Sequence, residues 1–202
     1  MTLRLAVLGD SIAFGQGASS REDRPASRLA RMLTARGVDV TTRVLAVPGA
    51  RSAQLGSQVA AATDWLPQVA VIVIGANDLT HQTPPEGAAR DLGAAVRRLR
   101  EAGASVVVAP APDLSIVPHV PEALRPVVAE RSATLRSLQV AAVRDAGGRV
   151  ADEDGSTSAA FAGDRGLFCA DAFHPSSAGY AVITGALWPG VLAAVDELLA
   201  HG

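Results

Sequence analysis

With 202 residues, 49% of them hydrophobic and 19% charged, the chain has ample apolar material for one buried core and too little polarity for general disorder. A net charge of −2 argues against nucleic acid or an anionic membrane surface as partner, because both select for clustered positive charge. The basic residues are all Arg and are scattered along the chain.

In chain order, the first apolar run is 3–8; it contains Arg4 and meets Asp10, so it is too short and too polar for a signal-peptide core. Further β-branched or aliphatic runs fall at 38–47, 69–74, 105–109 and, more weakly, 148–152. Helix-period stretches separate them at 25–36, 50–62, 87–102 and 121–146, and a closing helix begins near 176. The run "VAVIVIG" is apolar at every position, as a strand covered on both faces must be. Leu92, Val96 and Leu99 form one helical stripe, and Tyr180, Ile183, Leu187, Val191 and Val195 form another. Residues 172–195 contain no Asp, Glu, Lys or Arg, but Pro175, Gly179, Pro189 and Gly190 interrupt them, so a buried helix is expected rather than a membrane span.

This alternation predicts a single α/β domain over 1–202: a five-stranded parallel sheet with helices on both faces. In such folds ligands sit beyond the C-terminal ends of the strands. The polar, glycine-rich segments follow each strand in turn: "GDS", "PGARS", "GAND", "PAPD" and "DAFHP".

The first of these, in "LAVLGDSIAFGQG", is not a nucleotide loop. Gly15 and Gly17 lack the third glycine of a dinucleotide fingerprint, and a chain without Lys has no Walker lysine. It is not a G-x-S-x-G elbow either, since Ala13 takes the second glycine's place. Gly-Asp-Ser alone also reads as a strand end followed by a helix cap. A nucleophilic serine needs a base and oxyanion donors. Gly49 offers a backbone N–H, with a plain Pro-Gly turn as its other reading, and Asn77 offers a neutral amide, with a helix cap as its other reading. Of the four histidines, His201 is terminal and His119 lies in the proline-rich "SIVPHVPEALRP", where a surface position is expected. The other two each follow an Asp by three residues: Asp78 with His81, and Asp171 with His174. The second pair is favoured, because Pro175 leads it directly into a helix whereas His81 runs into a polar loop.

Together Gly9-Asp10-Ser11, Gly49, Gly75-x-Asn77-Asp78 and Asp171-x-x-His174-Pro175 resemble the four blocks of the SGNH hydrolases, also called GDSL-type esterases. The resemblance runs from end to end, with Ile12 where the older family name has Leu. It implies a flavodoxin-like α/β/α fold and hydrolysis of a small-molecule ester, with no cofactor and no metal. It implies Ser11 as nucleophile, His174 as base and Asp171 as its orienting acid, with an oxyanion hole from the N–H groups of Ser11 and Gly49 and the amide of Asn77. An acyltransferase or thioesterase on the same residues, and a non-catalytic binding module on a doubly wound scaffold, are the other readings. Gly15 and Gly17 are expected to leave room for substrate, Asp10 to brace neighbouring loops, and Cys169 to be a small buried hydrophobe. Leu114, Ile116 and Val117 are expected to wall an acyl pocket. A cytoplasmic protein is expected, since no signal peptide or membrane span is read in the sequence, and the lone Cys169, with no internal disulfide, is compatible with a reducing compartment.

Overall fold

In a computed structural model, which describes residues 2–200, the strands are β1 (Leu3–Gly9), β2 (Val40–Val44), β3 (Val69–Val73), β4 (Ser105–Ala109) and β5 (Arg149–Val150). They are all parallel, in the order β2-β1-β3-β4-β5, with Leu5 opposite Val69 and Gly9 opposite Val73. The helices are α1 (Ser11–Phe14), α2 (Pro25–Thr34), α3 (Leu55–Thr63), α4 (Ala76–Thr80), α5 (Pro85–Glu101), α6 (Arg125–Asp145), α7 (Ser156–Gly163) and α8 (Ser177–Ala200). This is the expected three-layer α/β/α arrangement.

Strand side chains alternate between faces, and each face has its own core. Leu5, Val7, Val69, Val71 and Val107 face α2 and α8, meeting Leu29, Leu33, Tyr180 and Leu187. Ala6, Leu8, Ala70, Ile72 and Val108 face the other way, onto Leu55 and Val59 of α3, Leu92, Val96 and Leu99 of α5, and Val143 of α6. Every residue of β3 is buried, which accounts for its unbroken apolar run. At the edge, Thr41, Thr42, Arg43 and Val44 of β2 are exposed, so the strand is shorter than the 38–47 run. The weak fifth run keeps only two residues in the sheet.

α8 runs through Pro189 without ending, as the expected stripe from Tyr180 to Val195 requires. By length and composition it could cross a membrane. Instead its stripe from Tyr180 through Leu187 and Val191 to Val195 is buried on the sheet, each large side chain contributing about 1.5–3 kcal/mol of burial. Gly190 permits this seating, since a Cβ there would lie 3.0 Å from Val107 Cγ1.

Strand order reverses between β1 and β3, so their following loops diverge and open a crevice. Ser11 opens the helix after β1, and Asn77 lies in the helix after β3.

Candidate active site

β1 ends at Gly9, where φ is +127° and a Cβ would fall 1.8 Å from Val73 O. Only glycine lets the tips of β1 and β3 close this tightly. Asp10 then caps α1, its Oδ1 accepting from Ile12 N at 2.9 Å. Ser11 is the first residue of the helix, so its N–H belongs to the first turn, which has no intrahelical acceptor.

The candidate base, His174, arrives from 163 residues further along the chain. His174 Nε2 lies 3.1 Å from Ser11 Oγ, and His174 Nδ1 lies 2.6 Å from Asp171 Oδ2. Burial works against the Asp171 charge, but the His174 ring and the N–H groups of His174 and Phe173 outweigh it and hold the carboxyl well below its ordinary range. An ionised carboxylate only accepts, which puts the imidazole proton on Nδ1 and leaves Nε2 as acceptor for the serine hydroxyl. The structure thus brings Ser11, His174 and Asp171 together. Phe173 meets the His174 ring edge-on, centroids 5.1 Å apart.

Asp171 sits in a tight turn. Ala172 adopts φ +53°, a left-handed conformation costing a non-glycine residue about 1–2 kcal/mol. Ala172 N donates to Cys169 O, Cys169 N donates to His174 O, and Asp171 Oδ1 also accepts from Cys169 Sγ at 3.1 Å. Cys169 is therefore not the buried hydrophobe expected. It is half-buried and its S–H points at the acid.

Two other expectations change. Gly15 forms the left-handed cap of α1, and a Cβ on Gly17 would lie 2.6 Å from Pro175 O and 3.1 Å from His174 Cβ. These glycines admit a helix end and the histidine loop rather than substrate. The Asp10 carboxylate bonds locally, accepting from Ile12 N, and it is Asp78 that braces loops: its carboxylate accepts from Ser52 N and, at 2.8 Å, from Ser52 Oγ. Asp78 therefore does not pair with His81, whose Nδ1 faces Asn77 O and Thr80 Oγ1 on the surface. Both buried acids are pushed up by desolvation, Asp10 to about 7 with Asp78 adding repulsion, while Asp10 Oδ2 has no hydrogen-bond partner among the described residues.

The loop after β2 is a type II turn, Val47–Pro48–Gly49–Ala50, in which Ala50 N donates to Val47 O and Gly49 takes φ +82°. Gly49 is exposed there, and Asn77 Nδ2 donates to Ala50 O at 3.1 Å, tying this turn to the start of α4. Leu114, Ile116 and Val117 line an apolar cavity of about 70 Å³ with Ile12, Phe168 and Phe173. Leu114, Val117 and Phe173 also wall an open groove of about 470 Å³ leading towards Val127 and Val128. Among the described residues no cluster of three His, Cys, Asp or Glu side chains converges as a metal site, and His201 lies outside those residues. Sequence reasoning left His119 without a role, yet its Nε2 is 2.6 Å from Asp171 O.

A family model described as GDSL-like lipase/acylhydrolase matches residues 7–182. A GDSL-like esterase of Mycobacterium tuberculosis is 36% identical over 203 residues, covering 98% of this chain, which in turn spans 64% of that protein's length. Of solved structures, that of TesA superposes with a TM-score of 0.79 at 21% identity, covering 95% of this chain and 99% of its own. A psychrotrophic esterase, EstA from Pseudoalteromonas sp., gives a TM-score of 0.73 at 18% identity over 96% of this chain and 98% of its own. An acetylxylan esterase from Geobacillus stearothermophilus also gives 0.73, at 14% identity and 94% of each chain. These structures share the fold.

Proposed function

The chain belongs to the GDSL-like lipase/acylhydrolase family, and from that premise we propose that it is a serine esterase that hydrolyses carboxylic esters of small or medium acyl groups through an acyl-enzyme. The observation that carries this reading is the contact of His174 Nε2 with Ser11 Oγ at 3.1 Å while its other nitrogen is held by Asp171.

His174 Nε2 takes the Ser11 proton as Oγ attacks the ester carbonyl carbon. The tetrahedral oxyanion is met by the N–H groups of Ser11 and Gly49 and by the Asn77 amide. One of Asn77's two amide hydrogens engages Ala50 O, leaving the other for the oxyanion. Collapse breaks the bond to the alkoxide, which leaves with the proton from His174. Water, deprotonated by the same Nε2, then attacks the acyl-Ser11 ester and releases the acid. Asp171 keeps its charge throughout and stabilises the imidazolium. The walls formed by Leu114, Ile116 and Val117 suit the acyl group, being apolar and next to Ile12, the residue after the nucleophile.

The test is a series of p-nitrophenyl and acyl-CoA esters of graded length with Ser11→Ala as blank, together with an alkylphosphonate inhibitor. Ester turnover is expected in the native protein, none above background in Ser11→Ala, and phosphonate is expected on Ser11 alone. Near-normal hydrolysis by Ser11→Ala would overturn the nucleophile.

A further inference from the structure

We infer that His119 is a positioning residue for the triad, acting through the main chain of Asp171; this rests on the serine-esterase reading above. Its Nε2 lies 2.6 Å from Asp171 O although 52 residues separate the two. A carbonyl only accepts, so the His119 nitrogen must donate.

The turn that carries the acid and the base supports itself largely from within. Phe173 N and His174 N donate to Asp171 Oδ1, Ala172 N to Cys169 O, and Cys169 N to His174 O. Those bonds occupy the N–H groups of Cys169, Ala172, Phe173 and His174, while the Asp171 carbonyl, next to the left-handed Ala172, faces His119. Rotating the Asp171–Ala172 peptide out of that conformation swings the carboxylate away from the imidazole. Among the described residues, His119 and Ser11 are the two side chains outside residues 169–174 that hydrogen-bond to this segment, and His119 is the one that holds the peptide.

The segment bearing His119 is built to present it. Val120 N donates to Val117 O at 3.0 Å, closing a turn with Pro118 in its second position and His119 in its third. Proline fixes φ there, so little freedom is lost when the imidazole reaches across. The same segment supplies Leu114 and Val117 to the apolar walls, and His119 itself borders the open groove beside Phe173. The wall of the substrate cavity and the triad turn are thereby fastened to each other at one point.

The experiment compares His119→Leu, which fills the volume without a donor, with His119→Gln, whose amide donates at a similar reach. His119→Leu is expected to lower kcat roughly fivefold, the scale of one net hydrogen bond, with KM within twofold of native. The rate of phosphonate labelling at Ser11 should fall in parallel. His119→Gln should recover kcat to within twofold. A native kcat in His119→Leu, a loss confined to KM, or equal impairment of the Gln variant would each overturn the positioning role. Should His119→Leu fail to fold, His119→Asn, whose donor is too short to reach, replaces it against Gln. Turnover surviving in Ser11→Ala sinks the esterase reading and this one together, whereas a dead Ser11→Ala beside native His119 variants sinks this one alone.

Discussion

Replacing Asp10 by Asn should stabilise the protein increasingly as pH rises, although Asp10 adjoins the nucleophile. Its side chain is fully buried, one oxygen caps α1 through Ile12 N, and the other has no hydrogen-bond partner among the described residues. Desolvation, aided by the charge of Asp78, carries the carboxyl from its ordinary 3.8 to about 7. At about 1.36 kcal/mol per pH unit, the fold resists that ionisation by on the order of 4 kcal/mol. The sign follows from proton binding: between pH 4 and 7 the folded state holds a proton that the unfolded state has released, so native stability falls as pH rises through that window. Asp171 is shifted the other way, but its contribution is lost only as pH drops below the ordinary carboxylate range, outside the window. Asn keeps an acceptor for Ile12 N and never ionises. Urea unfolding followed by circular dichroism at pH 4.5, 6 and 8 should show the variant's advantage growing by about 2–4 kcal/mol across the series. Any fixed cost of the new amide cancels in that trend. A difference between variant and native that stays flat from pH 4.5 to 8 would refute the reasoning.

Asn77→Ala should lower kcat roughly a hundredfold or more with modest change in KM, measured with a short-chain p-nitrophenyl ester, since on the proposed mechanism it removes a donor to the developing oxyanion. Gly17→Ala should cost at least roughly tenfold in kcat, because its methyl group meets Pro175 O at 2.6 Å and presses on His174 Cβ. Gly37→Ala is the control: φ is +81° there but the space is open, so it shares the backbone cost and should retain kcat.

Much of this arrangement is legible in the chain because the signals are local. The unbroken apolar run of β3 announces a doubly covered strand, and polar loops after each strand announce one functional rim. Asp171 and His174 sit three residues apart in a turn that closes on itself, and Pro175 after them, with the family resemblance, separates this pair from Asp78 and His81. What stayed hidden depends on partners distant in sequence. Asp78 stands three residues before His81 yet spends its carboxylate on Ser52, from the preceding loop. His119 looked like a surface residue and is exposed, but its partner is a backbone carbonyl, which no residue pattern marks. Gly17 was misread for the same reason: its need for a missing side chain comes from Pro175 and His174, at the other end of the chain. Pro189 does not end the helix that the Tyr180–Val195 stripe announces, because packing of α8 on the sheet overrides its propensity.

The meeting of residues 11–23 with residues 174–180 has a consequence for biosynthesis. Tyr180 OH donates to Gln16 O at 2.6 Å, and Ser177 bonds both Ser19 N and Asp23, so the loop following the nucleophile is clasped by the start of the last helix. A nascent chain on the ribosome can assemble the first strands and expose its serine long before residue 174 emerges from the exit tunnel. On the proposed reading, Ser11 meets its base only once residue 174 has left the tunnel and α8 has docked, so the event that completes this core also completes the triad.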